Sequence, residues 1–382
     1  MFFSSLRITA FRNLCDAEIS TGAKDVFLVG ENGQGKSNFL EALYFCAYAS
    51  SFRTSRDNEI ARNEVTGENF VNAKDFCAEV KLSDSVNDKI LVKCENGKKQ
   101  IFINDKRAED RKELLSIAPS IVFCHEDMEF VNGSPEKRRW FFDQTLSLYD
   151  PVYLEDLRRY RRVLKSRNTI LRDSALGKLT EDPAPILDAL DPQFAMYGIK
   201  LMEKREKAAE EFSALFGSLY EEVSGIKGIK VRYIQSWKNP EPCELLSDYI
   251  VDRLKQRRSS ELAAGLSLSG PHRDRYQFAH NGAGAAVDFT IKASTGQKRL
   301  LALLLRAAQA RRYSKETGLK PILLLDDVLL EMDGEKRRRF LSVLPAYDQA
   351  FYTFLPEEPY QHYQKGDTLV YNVKDGELTI LK

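Results

Sequence analysis

"LVGENGQGKSNFLEAL", residues 28 to 43, decides how the rest of the chain is read. Gly30, Gly35, Lys36 and Ser37 fit the spacing G-x-x-x-x-G-K-[ST]. Just before them, "VFLV" (Val26 to Val29) is an unbroken apolar run, as in a buried strand of a parallel sheet. After them, in "SNFLEALYFCAYA", Phe39, Leu43, Cys46 and Ala47 recur at helical spacing. Strand, glycine loop and helix form the context in which this spacing carries chemistry. Across Gly30, Glu31, Asn32, Gly33, Gln34 and Gly35 the backbone can curl so that several N–H groups face one anion, and the helix dipole adds to their field. Lys36 is then expected to reach the β and γ phosphates of a bound nucleotide, and Ser37 to offer its hydroxyl to Mg2+. The bland alternative, a glycine turn capped by a serine, explains neither the strand nor the helix.

With 382 residues the chain can bury a full core, and the length suggests two lobes. The formal net charge is +1, so attraction to nucleic acid has to come from local patches rather than from the whole molecule. Cys15, Cys46, Cys77, Cys94, Cys124 and Cys243 include no C-x-x-C pair, which argues against a zinc site or a disulfide framework and suits a reducing cytoplasm. No apolar run approaches a membrane span, and "MFFSSLRITAFRN" lacks the basic start and long apolar core of a signal peptide.

Residues 1 to about 125 read as short strands with turns, and "CENGKKQ" places Asn-Gly between β-rich flanks, a hairpin signal. From Pro151 to about Leu171 the apolar period becomes helical, with Tyr153, Leu157, Tyr160 and Leu164 in one stripe. A second helix is expected from Asp191 to about Val223, after the proline-bearing link "GKLTEDPAPILDALDPQ". Strand signals return at "GIKGIKVRYIQSW", and "DFTIKASTGQKRLLALLLRAAQARRY" reads as a turn and a long apolar helix. The expectation is an α/β head split in sequence, residues 1–140 and 263–382, with a mainly helical arm inserted at 141–262.

The second half of the candidate site lies near the end of the chain. "ILLLDD" (Ile322 to Asp327) is a buried strand that emerges into two acids. Asp326 is expected to hold Mg2+ alongside Ser37, and Asp327 to orient or deprotonate the attacking water. In "ASTGQKR", Ser294 fits a helix N-cap and Gly296 permits close approach of a ligand, making a second anion site. One triphosphate per chain and two anion sites suggest sharing across a dimer.

In this order, the glycine loop, "STGQ", "LLLDD" and "LLEMD" resemble the ABC-type ATPase heads of the SMC and Rad50 group. That resemblance implies that Ser294, Gly296 and Gln297 form the signature motif, which touches the γ-phosphate held by the opposite subunit. It also implies that "EMD", Glu331 to Asp333, is a D-loop, and that Glu126 lies near the Q-loop position, where it senses metal or water. The arm is too short, and lacks the sustained heptads, for a long coiled coil; an SMC or Rad50-type organiser is therefore the rival reading. Finer blocks resemble the RecF family of bacterial recombination mediators: "ITAFRN", "SSFRTSRDNEIAR", "EDMEFVNGSPEKRRWFFD" and "SGPHRDRYQF". The chain departs from that family's pattern at His125, where proline is usual, at Arg275 for a second acid and at Leu330 for a serine. Thr353 stands where many ABC heads carry a switch histidine. The resemblance implies an ATP-dependent homodimer that clamps duplex DNA beside single-strand gaps and helps to load RecA together with RecR. A weak, DNA-stimulated ATPase would serve as its timing switch.

From Lys137 to Arg167 there are nine Lys or Arg and four acids, a local excess of five. Arg158, Arg161, Arg162 and Lys165 share one face of the expected helix and are candidate phosphate contacts; a solvated face paired with acids is the alternative. The family places an arginine loop near Arg53 and Arg56. His272 and Arg273 are open to a core or a hinge role. No base-reading motif is visible, so DNA shape rather than sequence is the expected target.

Overall fold

Asp25–Val29 forms a strand with all five residues buried, as its unbroken apolar run requires. In the computed structural model of the chain this strand is central to a sheet of order Ser120–Phe123, Ile322–Leu325, Gln349–Phe354, Asp25–Val29, Thr368–Lys374, Glu377–Ile380. The first five strands are parallel, and the last pairs antiparallel as a hairpin. The structure describes residues 2–66, 69–72, 75–83, 88–238, 246–280, 287–329 and 332–381. Cys243, Leu330 and Glu331, singled out above, lie outside the described residues.

The chain divides into two units, Met1–Asp127 with Leu305–Lys382, and Met128–Leu304. The first contains the parallel sheet and a second, antiparallel sheet of order Ala17–Ser20, Phe2–Thr9, Phe76–Ser83, Lys89–Glu95, Lys98–Ile103, Lys106–Arg107. The expected Asn-Gly hairpin is there: Asn96 and Gly97 both adopt positive φ between Lys89–Glu95 and Lys98–Ile103. The helix Lys36–Tyr48 buries Phe39, Leu40, Leu43, Phe45 and Cys46 in this unit.

The second unit is mainly helical. Pro151–Ala175 starts with proline at its first position, and Asp150 caps it by accepting from the Tyr153 N–H at 2.8 Å. Tyr153, Leu157 and Tyr160 from the expected stripe pack against Phe194, Leu201 and Trp237 in one cluster. The following helix is longer than the sequence suggests, Ala184–Ser224, and runs through Pro192. Residues 184–190 of the expected link are therefore helical. The reason is burial: Leu187 and Asp191 are both fully buried, and tertiary contacts outweigh the backbone donor lost at Pro192.

Asp191 shows what those contacts are. Arg167, without exposed side-chain surface, donates to Asp191 Oδ1 at 2.8 Å, Glu261 Oε2 at 2.6 Å and Ser267 Oγ at 2.8 Å. Arg258 reaches the other Asp191 oxygen at 2.6 Å. A parallel network centres on Arg205, which contacts Asp143 Oδ1 at 2.8 Å, Asp274 Oδ2 at 3.2 Å and the Pro271 carbonyl at 2.7 Å. In "GPHRD", half-buried His272 has Nδ1 2.8 Å from the Tyr160 hydroxyl and Nε2 3.1 Å from the Ser267 carbonyl, and burial lowers its pKa to about 4. Arg273 also reaches the Ser267 carbonyl, at 3.3 Å.

A charge removed from such a network leaves its partners buried and uncompensated. Arg167→Ala is expected to lower stability on the order of 3–5 kcal/mol by leaving buried Glu261 without its guanidinium and Asp191 with Arg258 alone. A urea unfolding midpoint that scarcely moves would show that the network contributes nothing to the fold.

Candidate nucleotide-binding site

The carboxyl ends of the parallel strands form one edge, the place where open α/β sheets bind ligands. At the end of Asp25–Val29 the chain turns at Gly30, whose N–H donates to the Phe354 carbonyl at 3.2 Å. A Cβ on Gly30 would stand 2.3 Å from the Val373 carbonyl oxygen, so the neighbouring strand allows only glycine. The loop then leads into Lys36–Tyr48. Lys36 is almost fully buried, and its Nζ donates to the carbonyls of Gly30 at 2.7 Å and Glu31 at 3.0 Å.

Two loop carbonyls are held from outside. Asn13 Nδ2 donates to the Gly33 carbonyl at 3.0 Å. The tip of the C-terminal hairpin supplies the Gly376 N–H to the Gln34 carbonyl at 2.9 Å and the Asp375 N–H to Gln34 Oε1 at 2.6 Å. Gly376 has φ +80°, and a Cβ there would come 1.9 Å from the Asn13 carbonyl oxygen. These contacts fix the loop backbone at Gly33 and Gln34. Sequence reading overlooked both supports. The Asp-Gly in "NVKDGELTI" was a legible hairpin signal, but nothing local says what its tip touches.

Ser37 and Asp326, 289 residues apart, meet at this edge: Ser37 Oγ donates to Asp326 Oδ1 at 2.8 Å. Asp326 follows Ile322–Leu325, and its own N–H donates to the Phe123 carbonyl at 2.9 Å. Burial, reinforced by the charge of Asp327, raises the Asp326 pKa to about 7; the Ser37 hydrogen bond opposes the shift. Asp327 has φ +51°, a left-handed backbone, and Thr353 contacts both its main chain and its carboxylate.

Glu41, fully buried in the loop helix, accepts from Arg12 Nε at 3.0 Å and Nη2 at 2.8 Å. Arg53 donates to Asn38 Oδ1 at 2.7 Å and lies 3.8 Å from Glu41 and 3.9 Å from Glu126. Asn38 in turn donates to Asn13 at 2.7 Å. The blocks "ITAFRN" and "SSFRTSR" are thus joined to the glycine loop through side chains. Arg56 is exposed and pairs with Glu59 at 3.5 Å. The turn His125–Met128 presents exposed His125 and half-exposed Glu126, while Asp127 is buried against Arg306 at 2.8 Å.

In the second unit Ser294 and Gln297 form a reciprocal cap. The Gln297 N–H donates to Ser294 Oγ at 3.3 Å, and the Ser294 N–H donates to Gln297 Oε1 at 2.8 Å. They open the helix Thr295–Thr317; Ser294 and Gly296 are exposed, and a Cβ on Gly296 would meet open space. Asp333 caps Gly334–Val343 by accepting from the Lys336 N–H at 2.9 Å. Of the arm cations, Arg161 pairs with Asp143 at 3.2 Å and Arg159 with Glu155 at 3.3 Å. Arg158 is half-buried, and Arg162 and Lys165 are exposed. Arg275 is exposed at the start of Arg275–His280.

Residues 2–375 match the family model described as the RecF/RecN/SMC N terminal domain. The DNA replication and repair protein RecF of Treponema pallidum (strain Nichols) is 40% identical over 366 residues, covering 96% of this chain and 97% of that protein. The chain belongs to the RecF family. A RecF from Staphylococcus aureus (strain JH9) is 31% identical over 384 residues, with 99% and 100% of the two chains covered. Among solved structures, that of the recombination mediator protein RecF with ATP, in the RecFOR pathway, superposes with a TM-score of 0.86 at 27% identity, covering 100% of this chain and 98% of that one. An Smc head bound to the C-winged helix domain of ScpA matches at TM-score 0.54 and 16% identity over 100% and 97% of the chains, a likeness of fold alone. The α/β head with a helical arm is thus the RecF-family architecture. No helix among the described residues is long and apolar enough to cross a membrane.

The raised Asp326 pKa carries a stability consequence. A carboxyl that titrates higher in the fold than in the unfolded chain favours folding at low pH, and that contribution is lost as pH rises from about 4 through about 7. Asp326→Asn should therefore raise the melting temperature of cation-free protein at pH 8 and raise it less, or lower it, at pH 5. Equal shifts at both pH values in thermal melts would contradict a titrating Asp326.

Proposed function

We propose that this chain is an ATP-dependent DNA-binding protein of recombinational repair, working as a nucleotide-gated clamp. The observation that carries the proposal is the meeting of Lys36, Ser37, Asp326 and Asp327 at one sheet edge beside the glycine loop. Residues 30 to 37 hold the phosphates of ATP, Lys36 neutralising the β and γ groups. Ser37 Oγ and Asp326 Oδ1 are hard oxygen donors 2.8 Å apart, close to the ~3 Å between neighbouring oxygens around an octahedral Mg2+ with ligands at about 2.1 Å. Magnesium bound there supplies charge neutralisation at the phosphates. In hydrolysis the water oxygen bonds to the γ phosphorus and the bond to the β-phosphate oxygen breaks, its electron pair remaining on ADP. Asp327 takes the water's proton.

Ser294, Gly296 and Gln297 act in trans. Their exposed, capped helix start suits the γ-phosphate held by a second copy, and Asp333 serves as the D-loop acid. Mg-ATP therefore joins two heads, residues 1–140 and 263–382 of each chain, around duplex DNA near a single-strand gap. Hydrolysis is slow, is stimulated by DNA and opens the clamp. Glu126 monitors the metal or its water. Arg53, Arg56, Arg158, Arg161, Arg162 and Lys165 contact phosphates; support is firmest for Arg162 and Lys165, which make no ion pair among the described residues. Likeness to RecF extends the proposal to loading RecA with RecR, in the cytoplasm at the nucleoid.

Light scattering tests the clamp. The Asp327→Asn protein should double in molar mass with Mg-ATP, and the same protein with Ser294→Arg added should not. Monomeric mass with ATP bound, even beside duplex DNA, would rule out the shared site.

A further inference from the structure

Thr353 is the penultimate residue of the strand Gln349–Phe354. It is 3% exposed, and its hydroxyl stands between the two acids. The Asp327 N–H donates to Thr353 Oγ1 at 2.7 Å, and Thr353 Oγ1 donates to Asp327 Oδ1 at 2.8 Å. Asp326 Oδ1 is 3.3 Å from the same oxygen. One hydroxyl therefore grips a single residue twice, by its main chain and by its side chain.

Asp327 lies at φ +51°, in the left-handed region that aspartate adopts more readily than most residues, and both bonds to Thr353 are made from that conformation. A valine has the same shape and provides neither. The strand that carries Thr353 is hydrogen-bonded on one side to Ile322–Leu325 and on the other to Asp25–Val29, so the hydroxyl is fixed relative to both halves of the site.

We propose that Thr353 is the positioning residue for Asp327, holding its backbone left-handed and its carboxylate in one rotamer so that it can receive the proton of the attacking water. This assignment rests on the reading of the chain as an ATPase. Thr353 itself takes no proton from water; it acts through Asp327. A histidine at this place could hydrogen-bond a carboxylate through one ring nitrogen, but it could not accept from the Asp327 N–H and donate to the Asp327 carboxylate through one atom. The short hydroxyl makes both bonds with a single atom.

The test is steady-state ATP hydrolysis by Thr353→Val and Thr353→Ser in the full chain, with KM and kcat separated and melting temperatures recorded. Thr353→Val should lose about tenfold or more in kcat with KM changed by no more than about twofold, and Thr353→Ser should keep most of the parental kcat. Adding Thr353→Val to Asp327→Asn should cost nothing further, since the two residues act as one unit. If the valine protein does not fold, Thr353→Ala is held to the same expectation. An unchanged kcat in Thr353→Val, an equal loss in the serine protein, or a loss that adds fully to that of Asp327→Asn would overturn the assignment while leaving the ATPase reading intact. Absence of turnover in the parent protein would sink both.

Discussion

The site depends on the pairing of Asp25–Val29 with strands from the far end of the chain on both of its sides. Gln349–Phe354 flanks it on one edge and Thr368–Lys374 on the other, all parallel and in register. This pairing brings the glycine loop, the acid pair and Thr353 to a single edge. Ser37 and Asp326 can share a hydrogen bond only because the ends of the chain have become neighbours in one sheet. Parallel pairings over such separations form slowly, because the closure entropy is met before the contacts reward it.

Buried charge gives the fold its second kind of order. Apolar packing alone tolerates many arrangements, whereas a buried guanidinium accepts very few partners. Arg205 between Asp143 and Asp274, Arg167 between Asp191 and Glu261, and Arg306 on Asp127 each tie segments distant in sequence. Glu41 does the same beneath the glycine loop, where Arg12 and Arg53 converge on it. Rigidity of the loop helix follows from that convergence, and a rigid helix start is what a phosphate site requires.

The features legible in the sequence were those carried by neighbours in sequence. The apolar run before Gly30, the helical period after it, the Asn-Gly hairpin and the acids after "ILLL" are all local patterns, and each forms the element it suggested. What escaped was set by distant contacts. Pro192 reads as a boundary until the burial of Asp191 against Arg167 and Arg258 is known. "GPHRD" left a core or a hinge role open for its histidine, and only the fold shows His272 against Tyr160 and Asp274 against Arg205. The arginine run of the arm could not reveal that Arg161 meets Asp143, eighteen positions earlier, or that Arg167 is sealed inside. Within the candidate site, Lys36, Ser37 and Asp326 stand out by spacing alone, whereas the contacts of Asn13, the hairpin tip and Thr353 depend on strand pairing.

The hairpin tip at Asp375 and Gly376 also has a bearing on synthesis. A polypeptide emerging from the ribosome presents its glycine loop early, but Gln34 finds its partners only after residues 368–380 have been made. Until then the loop lacks its outer support, and the strand beside it lacks a neighbour. Nascent chains, and fragments that stop before the hairpin, are therefore without a finished phosphate cradle.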